Sequence, residues 1–179
     1  MTEPAVAFLR AVNVGGHNRV PQKALAERLE RELGSPVRHL LQSGNLVFGA
    51  AEPSTLAATV AGVIREQTGL EIPVIVRTGV QLAALAAADP WPGEDPIRVA
   101  LSLWDDSHDD ADARAMAEAD WAGEELRFVP GGAWMRYAVD TRSTKLGNAV
   151  IERRLKVVAT ARNARTIGEV LALLQSLGE

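Results

Sequence analysis

The chain has 179 residues, 47% of them hydrophobic and 23% charged, with a formal net charge of −4. These are globular values for one ordinary domain or two small joined ones, and they make disorder the wrong default. The absence of cysteine excludes disulfide and thiolate chemistry and fits a reducing, cytoplasmic setting. No basic N-terminal leader and no apolar run long enough for a membrane helix is visible, so no membrane partner is expected.

"AVAFLRAV" (Ala5–Val12) reads as a mostly apolar first strand. After the polar loop "NVGGHNR", Leu25, Leu29 and Leu33 recur at helical spacing, with Pro21 in the first turn and Gly34 as the stop. "VRHLLQ" and "NLVF" flank Ser43-Gly44 as a hairpin, with His39 packed on the face of Val37 and Leu41. A second helix, capped by Ser54 and ended by Gly69, turns Leu56, Val60, Val63 and Ile64 inward. "IPVIVR" (Ile72–Arg77) is the next strand, and Thr78 with Gln81 forms a capping box for a short helix. The three prolines of "DPWPGEDP" (Asp89–Pro96) interrupt regular structure.

The same grammar then repeats. "IRVALSLW" (Ile97–Trp104) is a strand and "DDSHDDADARAMAEAD" opens an acidic helix. "EELRFV" and "AWMRYAV" are strands joined by a Pro-Gly type II turn, with Trp134 and Tyr137 on opposite faces. A helix spans roughly Leu146 to Leu155. The last helix starts at Thr166 with Glu169 as capping partner and buries Ile167, Val170, Leu171 and Leu174. The expected fold is α+β, two ferredoxin-like βαββα(β) units with additional C-terminal helices. Residues 1–77 form the first unit, 78–96 a linker helix and proline-rich boundary, and 97–179 the second unit.

In such a unit the third strand lies between the first and second, antiparallel to both. This places the loop after the first strand beside the hairpin. One rim is thus predicted to carry Asn13, Gly15, Gly16, His17, Asn18, Arg19, Gln42, Ser43 and Asn45. Backbone N–H groups near a helix start, with an arginine and amides alongside, suit an anion or a polar planar group. The competing reading is a plain turn, because Gly and Asn tolerate positive φ. "NVGGHN" is neither G-x-G-x-x-G nor a Walker sequence.

A second polar segment lies toward the C-terminus, where residues 142–179 hold seven Arg or Lys against three acids. Ser143, Thr144, Lys145 and Asn148 cluster at one helix start, and Arg162, Asn163, Arg165 and Thr166 precede another. These also suit phosphate or carboxylate, with capping and surface charge as the alternative. The scattered His17, His39 and His108 give no metal motif. "DDSHDDAD" lacks the Gly and terminal Glu of a calcium loop, and dipole stabilisation of a helix start accounts for its acids. Ser107-His108-Asp109 is no triad, since neighbours in sequence do not converge on one reacting centre.

"LRAVNVGGHNRV", "QSGNLVF", "STKLGNAVIERRL" and "ARNARTI" together resemble the domain-of-unknown-function family 1697, mostly bacterial proteins of about this length. The resemblance covers nearly the whole chain in order. It implies paired ferredoxin-like units and no established activity, substrate or cofactor. Ala11 stands where the family usually has glycine, and Ala164 where its "RNW" places a tryptophan.

The leading functional expectation is a binding protein for a phosphate-bearing ligand, a nucleotide or a nucleic-acid backbone, in a polar cleft. Arg10, Arg19, Lys145, Arg162 and Arg165 would supply charge. Gly15, Gly16, Ser43 and Asn45 would supply backbone access, and Asn13 and Asn163 specificity. One alternative is a small enzyme of the same cleft, with His17 as acid or base and Lys145 as electrophile. Another is a homodimeric interaction module, in which acidic body and cationic tail pair between copies. No cofactor is expected.

Overall fold

A computed structural model describes residues 1–138 and 144–178. Arg142 and Ser143, counted above in the basic tail and second polar segment, lie outside the described residues, as does Glu179. The elements run β1 (Glu3–Leu9), α1 (Gln22–Leu33), β2 (Val37–Leu40), β3 (Asn45–Ala51), α2 (Pro53–Thr68), β4 (Val74–Thr78) and α3 (Gly79–Ala87). They continue as β5 (Val99–Trp104), α4 (Asp110–Glu118), β6 (Glu125–Val129), β7 (Gly132–Arg136), α5 (Asn148–Leu155), β8 (Ala159–Asn163) and α6 (Ala164–Gly178). Two four-stranded sheets result, ordered β2-β3-β1-β4 and β6-β7-β5-β8. Every pairing is antiparallel. This is the ferredoxin-like arrangement twice over. By contact density the chain divides into Met1–Ala83 with Glu169–Glu179, and Ala84–Gly168.

The first unit's core follows from strand alternation. Ala5, Ala7 and Leu9 of β1 pair in register with Phe48, Leu46 and the hairpin, and pack with Leu25 and Leu29 of α1 and Leu56, Val60 and Ile64 of α2. Val6, Phe8 and Val47, on the other face of the sheet, are also fully buried. In the second unit Ala100, Trp104, Ala133, Met135 and Ala159 face Met116 of α4 and Ile151 and Leu155 of α5.

Several local expectations hold. Gly34 and Gly69 close α1 and α2 at φ 63° and 74°. Thr78 and Gln81 exchange hydrogen bonds of 3.0 and 3.2 Å as a capping box. Gly131 sits at φ 74°, as the third residue of a type II turn requires.

Others need correction. β1 ends at Leu9, not Val12, because Ala11 and Asn13 take positive φ (52° and 55°) and turn the chain out of the sheet. Leu33, in the last residue of α1, is exposed, as is Leu41, whose φ of 61° takes it out of β2. Ser54 does not cap α2. The cap is Glu52 and the helix starts at Pro53, two residues earlier, and the Ser54 hydroxyl donates to Glu52 Oε1 at 3.1 Å. β8 turns the second unit into a complete βαββαβ repeat. α6 therefore starts at Ala164, and its cap is Asn163, whose Oδ1 accepts from the Thr166 N–H at 2.9 Å. That displaces the expected Thr166–Glu169 box. Leu171 is only half-buried, whereas Ile167, Val170 and Leu174 are buried.

The join between β1 and the β2–β3 hairpin is closely packed around Gly44. The Leu9 N–H donates to the Gly44 carbonyl at 2.8 Å. A Cβ on Gly44 would lie 2.6 Å from Leu9 Cβ and 2.7 Å from Val12 Cγ2, at a φ of 81°. Gly44→Ala is expected to cost roughly 3 kcal/mol, combining left-handed strain with overpacking. Urea unfolding measures it, and a loss below about 1 kcal/mol would contradict this packing.

Candidate functional site

The loop after β1 is a miniature hairpin. The Asn13 N–H donates to Asn18 O at 3.1 Å and the His17 N–H to Val14 O at 3.0 Å. Gly15 and Gly16 occupy the tip at φ 56° and 80°. Positive φ at both central residues is the type I′ turn, whose twist matches paired strands. The adjacent glycines thus have a local structural cause.

Asn13 anchors this loop. Its Nδ2 donates to Val20 O (3.1 Å) and Gln42 O (2.8 Å), and its Oδ1 accepts from the Val20 N–H (3.1 Å). One side chain ties the loop's start to its end and to the β2–β3 turn, so the predicted juxtaposition of loop and hairpin is present. Asn18 adds a bond from Nδ2 to Ala11 O at 3.1 Å. Both amide hydrogens of Asn13 are committed to the chain, which makes it a positioning residue here.

A cavity of about 420 Å³ opens beside the anchor, lined by Asn13, Gly16, Arg19, Val20, Pro21 and Gln42. Val20 and Pro21 were not among the predicted rim residues; they line it because the loop returns to the sheet there. Arg19 and Gln42 are exposed. No atom lies within 4 Å of where a Cβ on Gly16 would stand. The first turn of α1 begins at this wall. Pro21 is its N-cap, with no side-chain hydrogen bond to the helix and no acidic residue in the first turn. The first N–H groups of a helix have no intrahelical acceptor and carry partial positive charge.

The remaining predicted rim residues have different surroundings. His17 and Gly15 are exposed on the hairpin, and Arg10 is half-buried with its N–H on Pro73 O at 3.0 Å. Ser43 is exposed and its hydroxyl accepts from Asn45 Nδ2 at 3.3 Å. Asn45 is fully buried, and its amide also donates to Leu40 O at 2.7 Å. Asn45 therefore pins the hairpin.

In the second unit, the Thr144–Leu146 stretch does gather anion-binding donors, and a carboxylate of the same chain occupies them. Glu124 Oε2 accepts from Thr144 Oγ1 (2.8 Å), Lys145 N (3.0 Å) and Leu146 N (2.9 Å). Sequence reading missed Glu124, because nothing local marks a partner some twenty residues away. The Lys145 side chain is exposed. Asn148 accepts from Ser102 Oγ at 2.6 Å and donates to Ala159 O at 2.9 Å. Arg162 is buried in β8, with Nη1 on Thr160 Oγ1 and Ala161 O, both at 2.8 Å. Burial lowers its pKa to about 10, so it stays charged at neutral pH. Asn163 caps α6, and Arg165 is exposed. Among the described residues no cluster of His, Asp and Glu could hold a metal ion. No helix among them is long and apolar enough to cross a membrane.

Removing the anchor is expected to loosen the loop and cost roughly 2 kcal/mol, since Asn13→Ala strands the Val20 N–H and two carbonyls. Urea unfolding with amide exchange at Val20 checks this; unchanged exchange there would contradict it. Ala11→Gly is expected to act oppositely, gaining about 1 kcal/mol by relieving left-handed strain. A thermal midpoint at or below that of the parent chain would contradict that assignment.

A solved structure described as the conserved bacterial protein SP0830 from Streptococcus pneumoniae is similar to this chain with a TM-score of 0.74. The similarity covers 98% of this chain and 99% of that one at 20% identity, a likeness of fold. No curated protein sequence matches significantly. The family model for a protein of unknown function, DUF1697, matches residues 1–134, which include β1, the anchored loop, the hairpin and most of the second sheet. The chain belongs to the DUF1697 family.

Proposed function

We propose that the cavity beside the Asn13–Arg19 loop binds a phosphate-bearing ligand, a nucleotide or a nucleic-acid backbone. The observation that carries this reading is the start of α1. It has neither a side-chain cap nor a first-turn acid, and it borders a cavity that Arg19 also lines. The starts of α2 and α5 also lack a side-chain cap and a first-turn acid, so the adjoining cavity and Arg19 single out the α1 start, while α4 and α6 are closed by side chains. Asp109 Oδ1 accepts from the Ala111 N–H at the start of α4, and Asn163 does the same for α6. An anion at the α1 start gains from exposed N–H groups, from the helix dipole and from a guanidinium able to bind in two places. Gly16 lines the cavity without a side chain, and Gln42 brings a neutral amide to it.

Thermal shift against nucleotides, sugar phosphates, polyphosphate and short oligonucleotides tests the proposal. A ligand at 100 times its dissociation constant stabilises by about 2.7 kcal/mol, roughly 5–10 °C for a chain of this size. Arg19→Ala should weaken binding about tenfold or more, the value of a charge-assisted contact. A shift confined to oligonucleotides and lost with added salt assigns a nucleic-acid backbone, because phosphate contacts release counterions. A shift with sugar phosphate or polyphosphate, which carry no base, that Arg19→Ala leaves intact, or silence across the panel, would overturn the proposal.

A further inference from the structure

The second unit has a groove at the topological position that the Arg19 cavity holds in the first. Each lies between the segment leaving the unit's first strand, the helix that follows, and the turn joining its second and third strands. Here the groove is about 320 Å³, and its lining includes His108, Asp110, Arg114, Ala117 and Phe128. Its chemistry is different. The His108 and Phe128 rings lie 6.2 Å apart and nearly parallel, at 22°. Trp104, buried beneath, meets both edge-on, at 5.6 Å and 85° for His108 and 6.3 Å and 73° for Phe128. The three mutually oriented rings form an aromatic floor. His108 and Phe128 are only half-buried, so part of their surface faces the groove.

The acids around this floor divide by role. Asp109 caps α4, and Asp106 Oδ2 accepts from the Val158 N–H at 2.9 Å. Asp110 and Arg114, one turn apart on α4, line the groove itself. They offer an acceptor and a planar set of donors at the edge of an aromatic floor, while exposed Ala117 leaves room above it.

We propose that this groove binds a planar nitrogen heteroaromatic ring of the nucleobase class. The ring stacks on the His108–Phe128 floor, Asp110 accepts from a ring or exocyclic N–H, and Arg114 donates to a ring nitrogen or carbonyl. The proposal is independent of the phosphate reading of the first unit, because it requires no phosphate on the ligand.

The test is titration of the full chain with adenosine and with cytidine, with ribose as control, followed by ligand-observed NMR or calorimetry. Saturable nucleoside binding without ribose binding is expected. Phe128→Leu should weaken it about tenfold, within the range of one lost base–aromatic stack. Because Phe128 packs partly against the core, Ala117→Trp provides a second variant at an exposed position, filling the groove and abolishing binding. Arg19→Ala should leave nucleoside binding unchanged, which separates this site from the phosphate cavity. No saturable binding of either nucleoside overturns the proposal. So does binding that survives Ala117→Trp, or binding that Arg19→Ala removes.

Discussion

The first unit depends on how the chain leaves β1. Leu9 must hydrogen-bond the hairpin at Gly44 while Val12 packs over the same spot, so the backbone has to depart within a few residues and cannot run on as a strand. Positive φ at Ala11 and Asn13 makes that departure, and the Asn13 amide fixes where it ends. The anchor and the burial of Val20 in the core together return the loop to the sheet. Without that return, α1 would not begin at the wall of a cavity. Sequence, local backbone strain and the candidate site are joined through one side chain.

This explains why an asparagine-rich, glycine-rich loop is both a turn and a candidate site. The glycines answer a geometric demand at the hairpin tip, and the asparagines are consumed in holding the hairpin closed. What is left for a ligand is a smaller set: the guanidinium of Arg19, the open space at Gly16, Gln42 and the uncapped first turn of α1. The second polar segment met the opposite outcome. Its converging N–H groups, which the residue types Ser, Thr, Lys and Asn announced, hold the carboxylate of Glu124. Anion-binding geometry was legible there, and the identity of the anion was not.

The fold was legible wherever the deciding signal is local. Leu25 and Leu29 one turn apart, Gly69 after an apolar helix, Thr78 with Gln81, and Pro-Gly between two strands each carry their own physical cause. Signals failed where tertiary structure decides. β8 reads Ala-Thr-Ala-Arg-Asn, with too few apolar side chains to mark a strand; its Arg162 is buried at the level of Leu101, its partner in β5. Asn45 and Asn163 look like binding residues by type, but a hairpin and a helix start use them. Ala11 shows the converse. Its positive φ gives a physical reason for the glycine that the related family pattern carries at this place, and this chain bears the strain of an alanine there.

The proposed site stands or falls on whether the α1 start and Arg19 together receive an anion. Backbone amide shifts recorded while inorganic phosphate is titrated into the isotopically labelled full chain test it most directly. Saturable shifts are expected at Gly16, Arg19, Lys23 and Ala24, with the Val20 amide held by Asn13 shifting less. Shifts that never saturate, or that concentrate at Lys145 and Leu146 while the α1 start stays still, would contradict it.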